Sequence, residues 1–355
     1  MTPKFHPLKI AEVRRETPDA VSLRFDIPAE LAPDYAFIQG QHLTLKVRVG
    51  DEDLRRSYSI CAGVDDCELR VAIKRVDGGR FSTWANEGIQ VGDVVEVMTP
   101  EGRFHTPLDP AHAKHYVAFV AGSGITPVLS LIKTTLKAEP RSRFTLVYGN
   151  RRQTSVMFAE ALEDLKNRYL SRFTLYNLFS REEQEVPLFN GRLDAAKVAQ
   201  FLDTLIPADS IDEAFICGPG AMIDEVEGAL LRGGLAAEHV HLERFGIPGS
   251  APAHRAEAGD APQARITVVA DGLRREMDFR PEDPSILDVA LRSGMDLPYS
   301  CKGGVCCTCR AKVLEGKVRM DKNYTLEQAD VDAGYVLTCQ AHPLTERVVI
   351  SFDDR

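Results

Sequence analysis

The sequence predicts a multidomain chain: an antiparallel β-barrel, then a doubly wound parallel α/β sheet, then a small α+β domain. Three observations predict it. Residues up to about Asp109 carry short alternating strands broken by turn residues. From about His115, apolar strands alternate with helical patterns, as in a parallel sheet covered on both faces. Near the end, Cys301, Cys306, Cys307 and Cys309 fall within nine residues, and Cys339 lies well downstream.

The cysteine stretch is the most specific signal. Four residues separate Cys301 from Cys306, two separate Cys306 from Cys309, and Cys339 completes a C-x4-C-x2-C…C spacing. That is the spacing of a plant-type [2Fe–2S] site, in which four thiolates hold two irons. Gly303 and Gly304 suit a loop that turns its N–H groups toward sulfur. Tetrahedral zinc is the main rival, but zinc sites more often show two short C-x2-4-C pairs. Buried structural thiols are the plainest alternative, and the crowding of cysteines argues against it. Cys307 falls outside the ligand spacing and reads as a spare thiol packed against the loop; exchanging it with Cys306 would spoil the four-residue gap.

The chain has 355 residues, enough for two or three domains with ample core. Hydrophobic residues make up 44%, yet no stretch approaches the ~18 consecutive apolar residues of a membrane span. The amino terminus, Met1-Thr2-Pro3-Lys4-Phe5-His6, lacks the apolar core of a signal peptide, so a cytoplasmic protein without a membrane partner is expected. Eight cysteines in such a chain point to metal or redox use rather than disulfides. The formal net charge of −9 disfavours nucleic-acid binding. From Gln263 onward there are 13 Lys and Arg against 15 Asp and Glu, so the acidity is not gathered at the cysteine end.

In the first region, Val21–Phe25 and Leu43–Val47 alternate apolar and polar as half-buried strands do. Ser57–Ile60, Leu69–Ile73 and Val94–Val97 follow, with Asp77-Gly78-Gly79 as a turn. Many short antiparallel strands suggest a small barrel. A helix is expected near Ser82–Glu87, capped by Ser82. Within this region Arg56-Ser57-Tyr58-Ser59 offers a guanidinium for a pyrophosphate, a flat ring for an aromatic ligand and a hydroxyl for a ring nitrogen. An ordinary strand carries such a run too. Gly79, Ser82 and Thr83 form a second possible phosphate cradle at a helix start, or simply a hairpin turn before a capped helix.

His115–Ala121 is a continuous apolar run, typical of a buried parallel strand. It leads into Gly122-Ser123-Gly124-Ile125-Thr126-Pro127 and a helix over Val128–Lys137. Strand, glycine loop and helix cradle phosphates in dinucleotide folds; here the third glycine is missing and Pro127 stands near the helix start. Strands at Phe144–Tyr148, Phe173–Phe179 and Ala214–Cys217 alternate with helices at Met157–Arg168, Asp194–Leu202 and Met222–Leu231. Ligands sit at strand carboxyl ends in such sheets. Three segments there are candidates: Asn150 with Arg151, Ser180 with Arg181, and Cys217-Gly218-Pro219. Cys217 is either a small buried thiol or a redox group, and the second reading needs a partner that the sequence does not identify. Arg181 beside a hydroxyl can hold a ribose 2′-phosphate, which favours NADPH over NADH; the other reading is a solvated arginine before Glu182, Glu183 and Glu185.

After Glu243-Arg244-Phe245, residues Gly246–Ala264 are rich in Ala, Pro and Gly and read as a linker with a reach of about 25 Å. Strands at Ile266–Ala270 and Glu276–Phe279, a helix at Ser285–Leu291, the cysteine loop, and strands at Ala311–Leu314 and Val348–Phe352 then make a compact mixed sheet.

Taken together, these motifs resemble the ferredoxin–NADP reductase family with a fused plant-type ferredoxin, over essentially the whole chain. The resemblance implies residues 1–110 as an FAD-binding barrel, 111–245 as an NAD(P)-binding domain, 246–264 as linker and 265–355 as a β-grasp [2Fe–2S] domain. It implies Arg56 on the FAD pyrophosphate, Tyr58 against the isoalloxazine and Ser59 near its reducible nitrogen. Ser57, Val71, Ile73, Lys74, Gly79, Ser82 and Thr83 complete the implied flavin site. Gly122, Gly124, Thr126, Pro127, Asn150, Arg151, Ser180, Arg181, Cys217, Gly218 and Pro219 form the implied nucleotide site. Ser59, Cys217 and Glu243 are the implied catalytic residues, and Cys301, Cys306, Cys309 and Cys339 the cluster ligands. Cys307 stands where the family leads one to expect glycine. The implied activity is electron transfer from NADPH through FAD and the cluster to a separate multisubunit di-iron oxygenase. A reductase for a phenol or other aromatic hydroxylase is the rival within enzymes. A zinc-binding interaction module on a nucleotide-sensing domain is the rival from another class. No Ser-His-Asp arrangement or H-E-x-x-H motif points to hydrolysis.

Overall fold

The computed structural model describes residues 4–50, 52–246, 259–261 and 263–354. The expected linker therefore falls mostly outside the described residues, at 247–258 and 262. The chain forms two units: His6–Leu54 with Tyr58–Phe245, and Gly246–Arg355 with Met1–Phe5 and Arg55–Ser57.

The larger unit begins with β1 (Phe5–Thr17), β2 (Ala20–Asp26), β3 (His42–Val49), β4 (Glu52–Ser59), β5 (Leu69–Lys74), helix α1 (Arg80–Glu87) and β6 (Val94–Met98). The six strands lie in the order β4-β3-β6-β1-β2-β5. Ile60, just past β4, bridges Val71 of β5, so the two ends of the sheet curl together into a barrel. Inward residues such as Leu8, Ile10, Leu23, Leu43, Leu45, Val71 and Ile73 form its core. Helix α1 starts earlier than the sequence suggests. Its cap is Gly79, and Ser82 lies inside the first turn, where its hydroxyl donates to the Gly79 carbonyl and accepts from the Val76 amide. The hydroxyl is local, but it closes the turn before the helix rather than the first helical amides.

The same unit continues with β7 (His115–Ala121), α2 (Ile125–Ala138), β8 (Arg143–Asn150), α3 (Ala159–Arg168), β9 (Phe173–Phe179), α4 (Ala195–Thr204), β10 (Glu213–Cys217), α5 (Gly220–Arg232) and β11 (Val240–Glu243). All paired neighbours are parallel, in the order β11-β10-β7-β8-β9. Alternate residues of the strands bury on opposite faces, as period-2 geometry demands. Tyr116, Ala118 and Val120 meet α2 and α3, whereas Val117 and Phe119 meet α4 and α5. Asp194 caps α4 by accepting from the Lys197 amide at 2.8 Å. The chain builds outward from β7 to β9, then returns to lay β10 on the other side of β7. The carboxyl ends of β7 and β10 thus flank the topological switch point.

The smaller unit holds β12 (Ala264–Ala270), β13 (Leu273–Phe279), α6 (Ile286–Arg292), β14 (Arg310–Glu315), β15 (Val318–Met320), α7 (Gln328–Asp332), β16 (Tyr335–Leu337), β17 (Ala341–Pro343) and β18 (Arg347–Ser351). A mixed sheet runs β13-β12-β18-β14-β16, with β12 and β18 parallel, and β15 pairs with β17. Ile286, Leu287, Val289 and Ala290 pack α6 onto this sheet. Ser285 caps α6, accepting from the Asp288 amide at 3.1 Å. Among the described residues no helix is long and apolar enough to cross a membrane.

Candidate functional site

The three loops singled out in the parallel sheet come together at its carboxyl edge. Gly124 opens α2 so close to the end of β10 that an added Cβ would lie 2.2 Å from the Cys217 carbonyl oxygen. Only glycine leaves room there. Gly122 is held from the neighbouring strand, since the Tyr148 hydroxyl donates to its carbonyl at 2.9 Å. The Thr126 hydroxyl closes the same turn on the Ser123 carbonyl, and Pro127 is buried in the first turn of α2. Gly218 is half-buried and Pro219 caps α5.

Asn150 ends β8 buried, and its amide nitrogen has no well-formed partner among the described residues, only the Tyr148 hydroxyl beside it. The Ser180 and Arg181 amides donate to the Asn150 and Arg151 carbonyls at 3.0 and 2.9 Å. These pairs hold the ends of β8 and β9 side by side, with Arg151 and Arg181 both exposed.

Sheet register sets Cys217 directly beside Glu243, the last residue of β11. The Ser59 hydroxyl, buried at the end of β4, donates to Glu243 Oε1 at 3.0 Å. The Glu243 side chain is half-buried. Desolvation pushes its carboxyl up to about 7, while the Ser59 hydrogen bond pulls the other way. Cys217 is fully buried, and desolvation, with Glu243 adding to it, pushes its thiol well up, so it stays a neutral thiol. The three residues read as catalytic are therefore neighbours.

Around Ser59, Tyr58 packs on Phe81 with ring centroids 5.3 Å apart. Arg56 is exposed, and its guanidinium donates to the Arg55 carbonyl at 2.7 Å. Val71 and Ile73 are buried in the barrel core, and Lys74 pairs with Asp19 at 3.4 Å. Thr83 lies in the first turn of α1. In the smaller unit the Ser57 hydroxyl donates to Ser300 Oγ at 2.9 Å.

The cysteine loop has two left-handed non-glycine residues, Lys302 (φ 49°) and Cys307 (φ 56°). Gly304 also has positive φ, and an added Cβ would lie 2.9 Å from the Lys322 carbonyl oxygen. The thiols interact in two pairs. The Cys301 thiol is hydrogen-bonded to that of Cys306, and backbone amides of Gly303, Val305 and Cys306 add to this, holding the Cys301 thiol below the usual thiol range against desolvation. Cys306 is pushed up by the same bond and by burial, and Cys309 by its bond to Cys339 and by burial. Cys339 arrives from downstream through Thr338, whose hydroxyl donates to the Cys309 carbonyl at 2.9 Å. Cys307 is half-buried, with its sulfur 3.2 Å from Thr325 Oγ1. Among the described residues no three His, Cys, Asp or Glu side chains gather closely enough to hold a single metal ion. Two thiol pairs are the donor set a two-iron cluster requires, two thiolates for each iron.

Three family descriptions match successive segments: an oxidoreductase FAD-binding domain at residues 7–106, an oxidoreductase NAD-binding domain at 119–228 and a 2Fe-2S iron-sulfur cluster binding domain at 268–344. The chain is 49% identical to one component of the 1,2-phenylacetyl-CoA epoxidase of Escherichia coli, over 98% of each chain. The chain belongs to the ferredoxin–NADP reductase family with a fused [2Fe–2S] domain. This reductase is also 36% identical to the ferredoxin reductase component of 3-ketosteroid-9-alpha-monooxygenase from Rhodococcus rhodochrous, over 97% of this chain and 96% of that one. Its fold matches phthalate dioxygenase reductase with a TM-score of 0.61 and 24% identity, over 98% of each chain.

The reductase is an oxidoreductase that uses FAD, a [2Fe–2S] cluster and a pyridine nucleotide, and it delivers electrons to an oxygenase. The residues present fit these groups: paired thiols in a loop with inward amides, a glycine edge at the switch point, and a buried Asn150 amide lacking a proper acceptor. Sequence reasoning does not find Thr338 and Gln340. Their only signal is that they flank Cys339.

Proposed function

We propose that the reductase takes electrons from NADPH and supplies a di-iron oxygenase that epoxidises the ring of phenylacetyl-CoA. The identity of 49% over 98% of both chains to the E. coli epoxidase component carries this reading. The cytoplasm is the compartment we assign.

Bound FAD would supply the exchange between two-electron hydride chemistry and the one-electron chemistry of a [2Fe–2S] cluster. We assign residues 1–110 to flavin binding, 111–245 to nucleotide binding and 265–355 to the cluster, joined by 246–264. Arg56 clamps the FAD pyrophosphate, Tyr58 lies against the flavin ring, and Ser57, Val71, Ile73, Lys74, Gly79, Ser82 and Thr83 shape the rest of the flavin site. Ser59 Oγ donates to Glu243 Oε1, and the pair would hold a proton close to the reducible part of the flavin. Cys217 fills the nicotinamide edge as a neutral thiol. Gly122, Gly124, Thr126, Pro127, Gly218 and Pro219 let the nucleotide approach the backbone, and Asn150, Arg151 and Ser180 line it. Arg181 takes the 2′-phosphate. Cys301, Cys306, Cys309 and Cys339 would hold the two irons through their thiolates.

Reconstitution tests the reading. With the purified oxygenase part of a phenylacetyl-CoA epoxidase, the reductase should support NADPH-dependent epoxidation of phenylacetyl-CoA. Support for a phenol hydroxylase oxygenase and none for the epoxidase would overturn the substrate assignment while leaving the electron chain intact.

A further inference from the structure

We infer that Gln340 is a positioning residue of the cluster site, which braces Cys339 against the Cys301 loop and tunes the cluster potential. The inference rests on reading the four cysteines as ligands.

Gln340 is 2% exposed, an unusual place for a long amide unless its hydrogen bonds are met. Its Nε2 lies 2.9 Å from the Lys302 carbonyl, 2.9 Å from the Cys339 carbonyl and 3.7 Å from Cys339 Sγ. An amide nitrogen has two hydrogens for these three acceptors. One goes to Lys302, and the other is shared between the oxygen and the sulfur of Cys339.

The Lys302 contact crosses the site. Lys302 follows Cys301 and holds a left-handed backbone, at φ 49°. Its side chain is tied separately, with Nζ 2.6 Å from Asp288 Oδ1 on α6. The Gln340 amide holds its carbonyl. On the other flank of Cys339, the Thr338 hydroxyl and amide both reach the Cys309 carbonyl, at 2.9 and 3.2 Å. The two neighbours of the downstream cysteine thus grip opposite ends of the loop that carries the other three. The backbone of Gln340 is itself fixed, because the Asp321 amide donates to its carbonyl at 2.9 Å.

Thr338 can only brace, since its hydroxyl is spent on a carbonyl. Gln340 also offers an N–H to a ligand sulfur. Hydrogen bonds to cluster sulfurs favour the reduced, more negative state and raise the reduction potential. Removing this donor lowers it.

The test uses the full-length holo-reductase with Gln340→Met, which keeps length and volume but has no donor, and Gln340→Asn, which keeps the amide but stops one methylene short. Spectroelectrochemical titration followed by EPR reads the potential of loaded molecules only, so partial occupancy does not mask it. Both variants should titrate at more negative potential than wild type. Both should also lose iron to a ferrous chelator several-fold faster. Wild-type potential and wild-type iron loss in either variant would overturn the inference. A wild-type iron content in Cys339→Ala, which leaves no donor atom at that position, would instead strike the ligand assignment on which it rests.

Discussion

The Ser59 hydroxyl donates to Glu243 Oε1 at 3.0 Å, across 184 residues of sequence. It joins the end of barrel strand β4 to the end of β11, where Cys217 is the neighbour in register. The carboxyl is protonated in the fold up to about 7, against an ordinary value of 4.5. The folded chain therefore binds this proton more tightly than the unfolded one. Stability from this group is full below about 4.5 and falls as pH rises toward 7. Glu243→Gln should flatten that decline, measured as the difference in Tm between pH 5 and pH 8. The pH profile of NAD(P)H-driven ferricyanide reduction should break near 7 in the wild type and lose that break in Glu243→Gln. Ser59→Ala should move the break upward, because it removes the contact that lowers the carboxyl. A break that stays in place in both variants would detach this pair from the chemistry.

Gly124 separates nucleotide binding from cluster function. A methyl group there would meet the Cys217 carbonyl oxygen at 2.2 Å, and both partners are backbone that cannot swing aside. Gly124→Ala must push the β7–α2 turn away from the end of β10. Displacement of about 1 Å at a reacting centre costs on the order of a hundredfold in rate. Stopped-flow hydride transfer should slow by about that factor, with the visible spectrum of the cluster unchanged. Wild-type hydride transfer would mean that the nucleotide does not use this edge.

Arg181 is exposed, and its backbone is pinned to that of Arg151 at 2.9 Å. The guanidinium is therefore anchored at its root and, among the described residues, unbonded at its tip, as a phosphate clamp requires. Arg181→Ala should raise KM for NADPH by about tenfold, the equivalent of about 1.4 kcal/mol, and leave KM for NADH nearly unchanged. An equal effect on both nucleotides would remove Arg181 from 2′-phosphate recognition.

What the sequence discloses and what it hides follow the range of the interactions. The cysteine spacing, the glycine turn after β7 and the apolar strand runs are local, and they mark the cluster loop and the parallel sheet directly. Strand β1 is hidden because its alternation is broken by register shifts between Ile10 and Glu12 and between Arg15 and Thr17. A serine in a first turn looks the same from sequence whether it caps the helix or follows the cap, so Ser82 reads as the cap that Gly79 provides. Gln340 and Thr338 gain meaning only when β16 and β17 carry Cys339 back to the loop. Glu243 is marked by the family resemblance, and the fold supplies its partner.

Cys307 shows how a residue at odds with its backbone can be diagnosed. Its φ of 56° is a left-handed conformation that suits glycine, and its sulfur sits 3.2 Å from Thr325 Oγ1. A side chain there costs about 1 kcal/mol of backbone strain. The Thr325 contact and packing against the core of the smaller unit offset part of that cost. Alanine keeps the strain and loses the sulfur contact, whereas glycine loses the contact and the strain together. Cys307→Gly should therefore be more stable than Cys307→Ala by about 1 kcal/mol in thermal unfolding of the loaded protein, the reverse of the usual ranking. Both variants should keep wild-type iron content, because the sulfur lies outside the ligand set we propose. Loss of iron in the glycine variant would make Cys307 a ligand and force a different pairing of the thiols.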